Sequence, residues 1–151
     1  MKEIWRPSVT VAAIIERDGK FLFVEELQEG RRVLNQPAGH LDPGETLIEA
    51  CAREVLEETA HRFEPTGLVG IYRWHYAPAA VTFLRFCFSG TVAGIETSRA
   101  LDKEILELHW LNVQETRQRA GQHRSPLVQQ CVDDYLAGCN FPLTVLSKTY
   151  G

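Results

Sequence analysis

The apolar positions of this chain fall into short runs that predict β-strands. Residues 8–15 (SVTVAAII) are mostly apolar and rich in β-branched side chains, which is typical of a buried strand. Asp18-Gly19 is a hairpin-turn signal, so the next apolar run should pair with the first. The strands predicted after the first span residues 21–24, 33–34, 68–76, 81–89 and 108–111. A sheet is therefore expected at the centre of the fold.

A helix is predicted directly after residue 46, where the apolar positions change to a helical spacing. Its apolar face is formed by Leu47, Ile48, Ala50, Cys51, Ala52 and Val55. Thr46 is a suitable N-cap, and Glu49 completes the pattern of a capping box. Ala60 stands where a left-handed cap glycine is expected, at a cost of roughly 1 kcal/mol. We expect the helix end to adjust slightly, without moving the acidic side chains.

Two more helices are predicted near the C-terminus. Residues 113–120 begin a short helix. Residues 125–138 form a longer one, with Ser125 as N-cap, Pro126 at the first position and Gly138 just past the end. Strands mixed with helices in a chain of 151 residues predict a single α/β domain spanning residues 1–151.

One side of the helix after residue 46 is densely acidic. Each residue advances ~100° around an α-helix, so Glu54, Glu57 and Glu58 share one side. Like charges four residues apart destabilise a helix by roughly 0.2–0.5 kcal/mol per pair. Residues 39–61 contain no lysine that would offset this repulsion. A hard divalent cation such as Mg²⁺ would do so, and the alternative is a solvated acidic face without a ligand.

The acidic segment resembles the Nudix box, G-x5-E-x7-R-E-U-x-E-E-x-G-U, in which U is a bulky aliphatic residue. The matching residues are Gly39, Glu45, Arg53, Glu54, Val55, Glu57 and Glu58. Ala60 and His61 depart from the last two positions, but every charged position is present. The resemblance implies the family's fold, a mixed β-sheet sandwiched between α-helices (α/β/α). It also implies a hydrolase that depends on Mg²⁺, with Mn²⁺ able to substitute.

The resemblance assigns roles to single residues. The implied metal ligands are Gly39 (through its carbonyl), Glu54, Glu57 and Glu58. Arg53 is expected to tether neighbouring carboxylates by paired hydrogen bonds, and Glu45 to orient Arg53. The general base stays open between two alternatives. In some family members it is the residue that matches Glu54, and in others it is a glutamate on a later loop, for which Glu104 and Glu107 are candidates.

Residues on two adjacent predicted strands are candidates for binding the organic part of a substrate. The candidates are Arg73, Trp74, His75 and Arg85, with Tyr76 and Phe86 beside them. Aromatic rings can stack on a base and arginines can bind phosphate. Strand alternation places Arg73 and His75 on the face opposite Trp74, so one pocket cannot take both sets without a bulge. Aromatic residues on strands are also common in cores.

Features outside the box extend the resemblance over most of the chain. The segment NQPAGHL, the acidic turn at 102–105 and RSPLV at 124–128 look most like the NudJ phosphatase branch of the family. That branch implies cleavage of nucleoside di- and triphosphates, or of small pyrimidine diphosphates such as hydroxymethylpyrimidine diphosphate. Two alternatives stay open. One is a pyrophosphohydrolase of ADP-ribose or dinucleoside polyphosphates, and the other is a non-catalytic nucleotide-binding module.

Composition narrows the partners and the location. A net charge of −4 and a pI near 5.7 argue against a nucleic-acid polymer, which needs a basic surface. No apolar run is long enough to span a bilayer, so no membrane partner is expected. The four cysteines show no ligand spacing, and without a secretory signal we interpret them as reduced thiols of a cytoplasmic protein. A small phosphorylated substrate and a monomer or homodimer are expected.

Overall fold

The computed structural model describes residues 1–146. The strands are β1 (Ser8–Arg17), β2 (Lys20–Gln28), β3 (Arg31–Asn35), β4 (Ala38–His40), β5 (His61–Tyr76), β6 (Val81–Ile95) and β7 (Ile105–Asn112). The helices are α1 (Leu47–Thr59), α2 (Val113–Gln118) and α3 (Leu127–Leu136). Short 3₁₀ turns occupy Ala77–Ala79, Ala120–Gln122 and Leu143–Val145. None of the helices in the described part is long and apolar enough to cross a membrane.

Strand β1 is the centre of the sheet, and the sheet forks along one of its edges. On one side β1 pairs in parallel with β6, and β6 pairs antiparallel with β5. On the other side β4 pairs with Thr10–Ala12, whereas β2 pairs only at Glu16 and Arg17. β2 then continues away from β1, with β3 and β7 on its two sides. The fork leaves a cleft between β4 and the β3–β2–β7 part of the sheet.

Two apolar cores lie on opposite faces of the sheet, which confirms the expected sandwich of a mixed sheet between helices. Alternate residues of β1 point to opposite sides, as the pleat requires. Ala12 and Ile14 pack with α3, and Val11, Ala13 and Ile15 pack with α1. Both layers bury the apolar faces of their helices, so the sheet fixes the position of α1 and of its acidic side.

The start of α1 follows the sequence prediction in part. The Thr46 hydroxyl oxygen accepts a hydrogen bond from the Glu49 N–H at 3.1 Å, as an N-cap does. The Glu49 carboxylate accepts from the same hydroxyl instead of from the Thr46 N–H. The predicted capping box is therefore wrong in its second half. A complete capping box instead begins α2, between Asn112 and Glu115.

The end of α1 differs from the expectation. Ala60 itself adopts the left-handed conformation, with φ 59° and ψ 11°, and its N–H donates to the Leu56 carbonyl at 2.9 Å. The helix therefore ends as the glycine-containing motif would end it, and no adjustment of the last turn is needed. The backbone strain is confined to a single buried alanine.

Several predicted elements are shorter than the observed ones. β5 begins at His61 instead of residue 68, because His61 and Phe63 are buried while Arg62 and Glu64 are exposed. That alternation is a strand pattern interrupted by polar residues. β6 runs on to Ile95 to pair with this extension, and β7 begins at Ile105 instead of residue 108.

The predicted C-terminal helix is confirmed at about the expected position. α3 covers Leu127–Leu136, and the Ser125 hydroxyl accepts from the Leu127 N–H at 3.2 Å. Gly138 follows with φ 90°. The predicted domain extent, residues 1–151, includes a last segment, 147–151, that lies outside the described residues.

We predict that Ala60→Gly stabilises the protein by roughly 0.5–1 kcal/mol, because glycine adopts a positive φ without the Cβ clash. Urea denaturation of the variant and the wild type measures the difference. Ala52→Gly, inside α1, is the matched control and should destabilise the protein by about 1 kcal/mol. An Ala60→Gly variant as labile as Ala52→Gly would contradict the strain at this cap.

Candidate active site

A cavity of about 420 Å³ opens in the cleft where the sheet forks. β4 and α1 form its acidic wall, with Gly39, Glu54 and Glu58 exposed to it. β5 and β6 contribute Trp74 and Arg85 to the opposite part of the lining. Residues that are far apart in the sequence thus line one open cavity, of a size that holds small ligands in other proteins.

Arg53 is the cation that holds the acidic helix together. Its Nε and Nη2 donate to the two carboxylate oxygens of Glu45 at 3.0 and 2.7 Å. Its Nη1 donates to Glu54 at 2.9 Å and to Glu57 at 3.2 Å, and Nη2 also donates to the His40 carbonyl at 2.9 Å. The bonds from Arg53 lower the pKa of Glu45. These contacts are the tethering that the spacing of the charges predicts.

Glu54 and Glu57 share their position with an acidic residue from a distant segment. Asp102 brings a carboxylate oxygen to the pair, and the three ligand atoms lie within 4.8 Å of one another. The Asp102 N–H donates to the Glu57 carbonyl at 3.1 Å, which fixes the loop after β6 against α1. The acidic turn at 102–105 is visible in the sequence, but its spacing predicts no role for Asp102 at the site.

Gly39 lies directly against the Glu54 carboxylate. A Cβ added at Gly39 would lie 2.0 Å from Glu54 Cδ and 2.2 Å from Oε1. Only glycine therefore allows the side chain of Glu54 to lie against the β4 backbone. Gly39 and Glu54 therefore line the same small region of the cavity, and the Gly39 carbonyl as a metal ligand stays a prediction.

Glu58 is a buried carboxylate, only 7% exposed. Its Oε1 accepts from the Ala38 N–H at 2.8 Å. Burial, together with the smaller effect of the negative charges of Glu26, Glu54 and Asp102, raises the pKa of Glu58 to about 9, although the Ala38 N–H opposes the shift. Burial likewise raises the pKa of Glu54 to about 7, although Arg53 opposes the shift.

The donor set fits a hard divalent cation. The carboxylates of Glu54, Glu57, Glu58 and Asp102 and the carbonyl of Gly39 are oxygen ligands, the type that Mg²⁺ and Mn²⁺ prefer. A bound cation would favour the charged form of the two buried carboxylates, against the burial that now favours the neutral form.

Other acidic residues divide between two places. Glu104 lines the cavity, together with Glu26 and Asp42. Glu26 is paired with Arg124, whose Nη1 lies 2.6 Å from its Oε1. Glu107 lies elsewhere, in a cluster with Glu25 and His109 on strands β2 and β7. Of the two later glutamates considered as general base, only Glu104 shares the cavity with α1.

The predicted substrate-binding residues divide in the same way. Trp74 and Arg85 line the cavity, whereas Arg73 and His75 do not. The His75 ring is hydrogen-bonded to the Thr82 hydroxyl at 2.9 Å, and Arg73 is exposed on the other face of β5. The strand is not bulged at residues 71–76, so strict alternation keeps the two sets apart. The structure therefore does not place Arg73 and His75 with the rest of the site.

The fold and the site define a Nudix hydrolase. Residues 5–131 match the family model of the NUDIX domain, and the chain belongs to this family. It is 39% identical over 143 residues to the phosphatase NudJ of Escherichia coli, which covers 95% of this chain and 92% of that protein. The protein is therefore an enzyme of the pyrophosphohydrolase and phosphatase class, and the predicted resemblance to the NudJ branch is confirmed.

Solved structures agree with the family assignment. A NUDIX hydrolase from Nitrosomonas europaea is 51% identical, with a TM-score of 0.93, over 95% of this chain and 98% of that one. A MutT NUDIX hydrolase from Burkholderia pseudomallei shares the fold at 19% identity and a TM-score of 0.73, over 86% of this chain and 98% of that one.

We predict that Gly39→Ala displaces the Glu54 carboxylate and lowers the affinity for a divalent cation by at least roughly tenfold. Calorimetric titration with Mn²⁺ measures the affinity without any substrate. Gly121→Ala is the matched control, since a Cβ at Gly121 meets nothing within 4 Å. Equal Mn²⁺ affinities of the two variants would show that Gly39 does not shape the ligand set.

We predict that the metal-free protein loses stability as the pH rises from about 5 to 9. The pKa values of Glu54 and Glu58 are raised to about 7 and about 9, so between the ordinary value of 4.5 and these values the folded state binds more protons than the unfolded state. Stability must then fall with increasing pH, and a divalent cation should reduce the slope. Thermal melts with EDTA and with Mn²⁺ across this range test it, and a metal-free melting temperature that rises from pH 6 to 9 would contradict it.

Proposed function

We propose that this protein is a Mg²⁺-dependent hydrolase that cleaves phosphoanhydride bonds of nucleoside di- and triphosphates. Small pyrimidine diphosphates such as hydroxymethylpyrimidine diphosphate belong to the same proposal, and Mn²⁺ should substitute for Mg²⁺. The observation that carries it is the group of carboxylates around Glu54: Glu54, Glu57 and Asp102 bring ligand atoms within 4.8 Å of one another, and Glu54 and Glu58 line the cavity beside Gly39. The similarity to NudJ supports the choice of substrate class.

A phosphoanhydride resists hydrolysis because of its negative charge, and this determines what the site must supply. The negative oxygens repel a nucleophile, so hydrolysis requires neutralised charge, an aligned water and a stabilised leaving phosphate. Mg²⁺ supplies the neutralising charge and lowers the pKa of a bound water. Glu54, Glu57 and Glu58 would hold the cation. Arg53 would keep Glu54 and Glu57 in place, because both accept from the same Nη1.

A carboxylate must accept the proton of the attacking water. Glu104 is the stronger candidate among the later glutamates, because it lines the cavity and is free of salt bridges within residues 1–146. Glu54 is the other candidate, but it already accepts from Arg53. We therefore propose Glu104 as the general base and Glu54 as a metal ligand.

A panel of phosphorylated compounds tests the proposed function. The wild-type protein is assayed with Mg²⁺ for release of phosphate and of pyrophosphate from nucleoside di- and triphosphates and hydroxymethylpyrimidine diphosphate. It is also assayed for AMP and ribose 5-phosphate formed from ADP-ribose and for the nucleotides formed from dinucleoside polyphosphates. Phosphate release from nucleoside diphosphates, nucleoside triphosphates and hydroxymethylpyrimidine diphosphate, abolished by EDTA, supports the proposal. Preferential cleavage of ADP-ribose or dinucleoside polyphosphates would establish the alternative pyrophosphohydrolase. No turnover of any compound would favour a non-catalytic binding module.

We predict that Glu57→Gln and Glu58→Gln each lower kcat by roughly 100-fold or more, with the fold intact. Glutamine keeps the size of the side chain and can still accept from Ala38 N–H at position 58, but it removes the charge that holds a cation. Glu64→Gln, on the exposed part of β5, is the matched control. Turnover of Glu58→Gln at the level of this control would remove Glu58 from the reaction.

The same assay on Glu104→Gln separates the two candidates for the base. We expect a loss of comparable size, with unchanged Mn²⁺ affinity in a calorimetric titration. Wild-type turnover of this variant would assign the proton transfer to Glu54.

A further inference from the structure

Arg85 is a buried cation whose protein partners are neutral. Arg85 is only 6% exposed and lies on the part of β6 that lines the cavity. Nη1 donates to the Gln36 amide oxygen and Nη2 to the Asn35 amide oxygen, both at 2.9 Å. The Gln36 amide nitrogen donates in turn to the Val128 carbonyl at 2.7 Å, which fixes its oxygen toward Arg85. The guanidinium is thus held rigidly.

The charge of Arg85 is not matched by a carboxylate. Within residues 1–146, no salt bridge involves this side chain. A buried guanidinium with only neutral partners has unfavourable solvation, and a guanidinium carries five N–H donors, of which the two amides use two. The Cys131 thiol is a further neutral contact of the guanidinium. Because Arg85 lines the cavity, the N–H groups that remain can donate to an electron-rich group of a ligand there.

A flat aromatic surface adjoins Arg85. Trp74 and Phe83 are direct cross-strand neighbours on β5 and β6, and Phe83 is two residues before Arg85 on the same face. Their rings are nearly parallel, with centroids 5.8 Å apart and an interplanar angle of 17°. Both residues line the cavity and are partly exposed. Such a surface is suited to stacking of a nucleobase.

The polar groups beside this surface offer donors to a ligand. The Asn35 oxygen is engaged by Arg85, so the group that Asn35 has left for the cavity is its amide NH₂. Arg85 has only N–H groups. A ring edge with keto oxygens or unprotonated ring nitrogens matches these donors, as guanine O6 and N7 match arginine in the major groove. The amino groups of adenine and cytosine would meet donors instead of acceptors.

We propose that Arg85 and Asn35, beside the stacked rings of Trp74 and Phe83, select nucleobases with a keto oxygen at purine position 6 or pyrimidine position 4, guanine and uracil, over adenine and cytosine, which carry an amino group at that position. The inference rests on the proposed function, because the phosphates of the same ligand would lie at the acidic end of the cavity with Glu54 and Glu58. It adds a base preference that the phosphate chemistry does not require, and it predicts that hydroxymethylpyrimidine diphosphate, whose ring carries an amino group and no keto oxygen, is a poorer substrate than GTP or UTP.

The test compares nucleotides that differ in the base alone. For the wild type we expect kcat/KM with Mg²⁺ to be roughly 5- to 100-fold higher for GTP than for ATP, and for UTP than for CTP. Calorimetry with GMP, AMP, UMP and CMP in EDTA should show the same order of affinities without any turnover. Arg85→Gln and Arg85→Lys, which lose the forked donor, should bring both ratios close to one. Arg62→Gln, on the exposed part of β5, is the matched control and should keep the wild-type ratios.

The outcomes distinguish this inference from the proposed function. Phosphate release without any base preference in the wild type would overturn the inference and leave the proposed function intact, whether or not the Arg85 variants fold. A loss of equal size for all four nucleotides in Arg85→Gln, with the base ratios kept, would overturn it by placing Arg85 on a phosphate. No turnover of any nucleotide, together with no monophosphate binding, would reject both.

Discussion

The constraint on which the site depends is the repulsion among carboxylates gathered on one side of α1. Arg53 is the only cation in direct contact with Glu45, Glu54 and Glu57 in the described structure, and it contacts all three. Within the described residues, Arg53 forms no salt bridge with Glu58 or Asp102. One guanidinium cannot balance this group, and the excess negative charge, partly buried, is what makes the cavity a place for a divalent cation.

The fold creates the cavity by letting two strands share one edge of β1. β4 occupies the edge at Thr10–Ala12 and brings Gly39 against Glu54, while β2 pairs further along and diverges. The acidic helix packs on one face of the sheet, and Arg85 points from the other face. Only at the fork do both faces open into the same cavity. Its acidic end, formed by Glu54 and Glu58, and its cationic end, formed by Arg85, therefore line one volume and form no salt bridge with each other within residues 1–146.

The parts of the site that could be predicted are those encoded by local spacing. The positions of Glu54, Glu57 and Glu58 follow from the helical repeat, and the contact of Arg53 with Glu57 from the i,i+4 relation. Asp102 could not be assigned, because the β6–β7 connection reaches α1 only through tertiary packing. The alternation of side chains along β5 correctly placed Trp74 and Arg73 on opposite faces of the strand. Which of these faces borders the cavity depends on the fork in the sheet, which the sequence does not show. The extra length of β5 was missed because its outer half is polar on the exposed face.

The two ends of the cavity place different demands on a ligand. Under the proposed function, the acidic end would bind phosphate through a cation, and its affinity would change with metal and with the protonation of Glu54 and Glu58. The other end of the cavity would bind a ligand through Arg85 and aromatic surface, and it needs no metal. A ligand with phosphates alone would leave the desolvated guanidinium without an electron-rich partner, and a base alone would leave the carboxylates unneutralised. A compound that joins a ring edge of acceptors to a chain of phosphates satisfies both ends, and for this reason a nucleotide accounts for the whole cavity better than an inorganic or sugar diphosphate does.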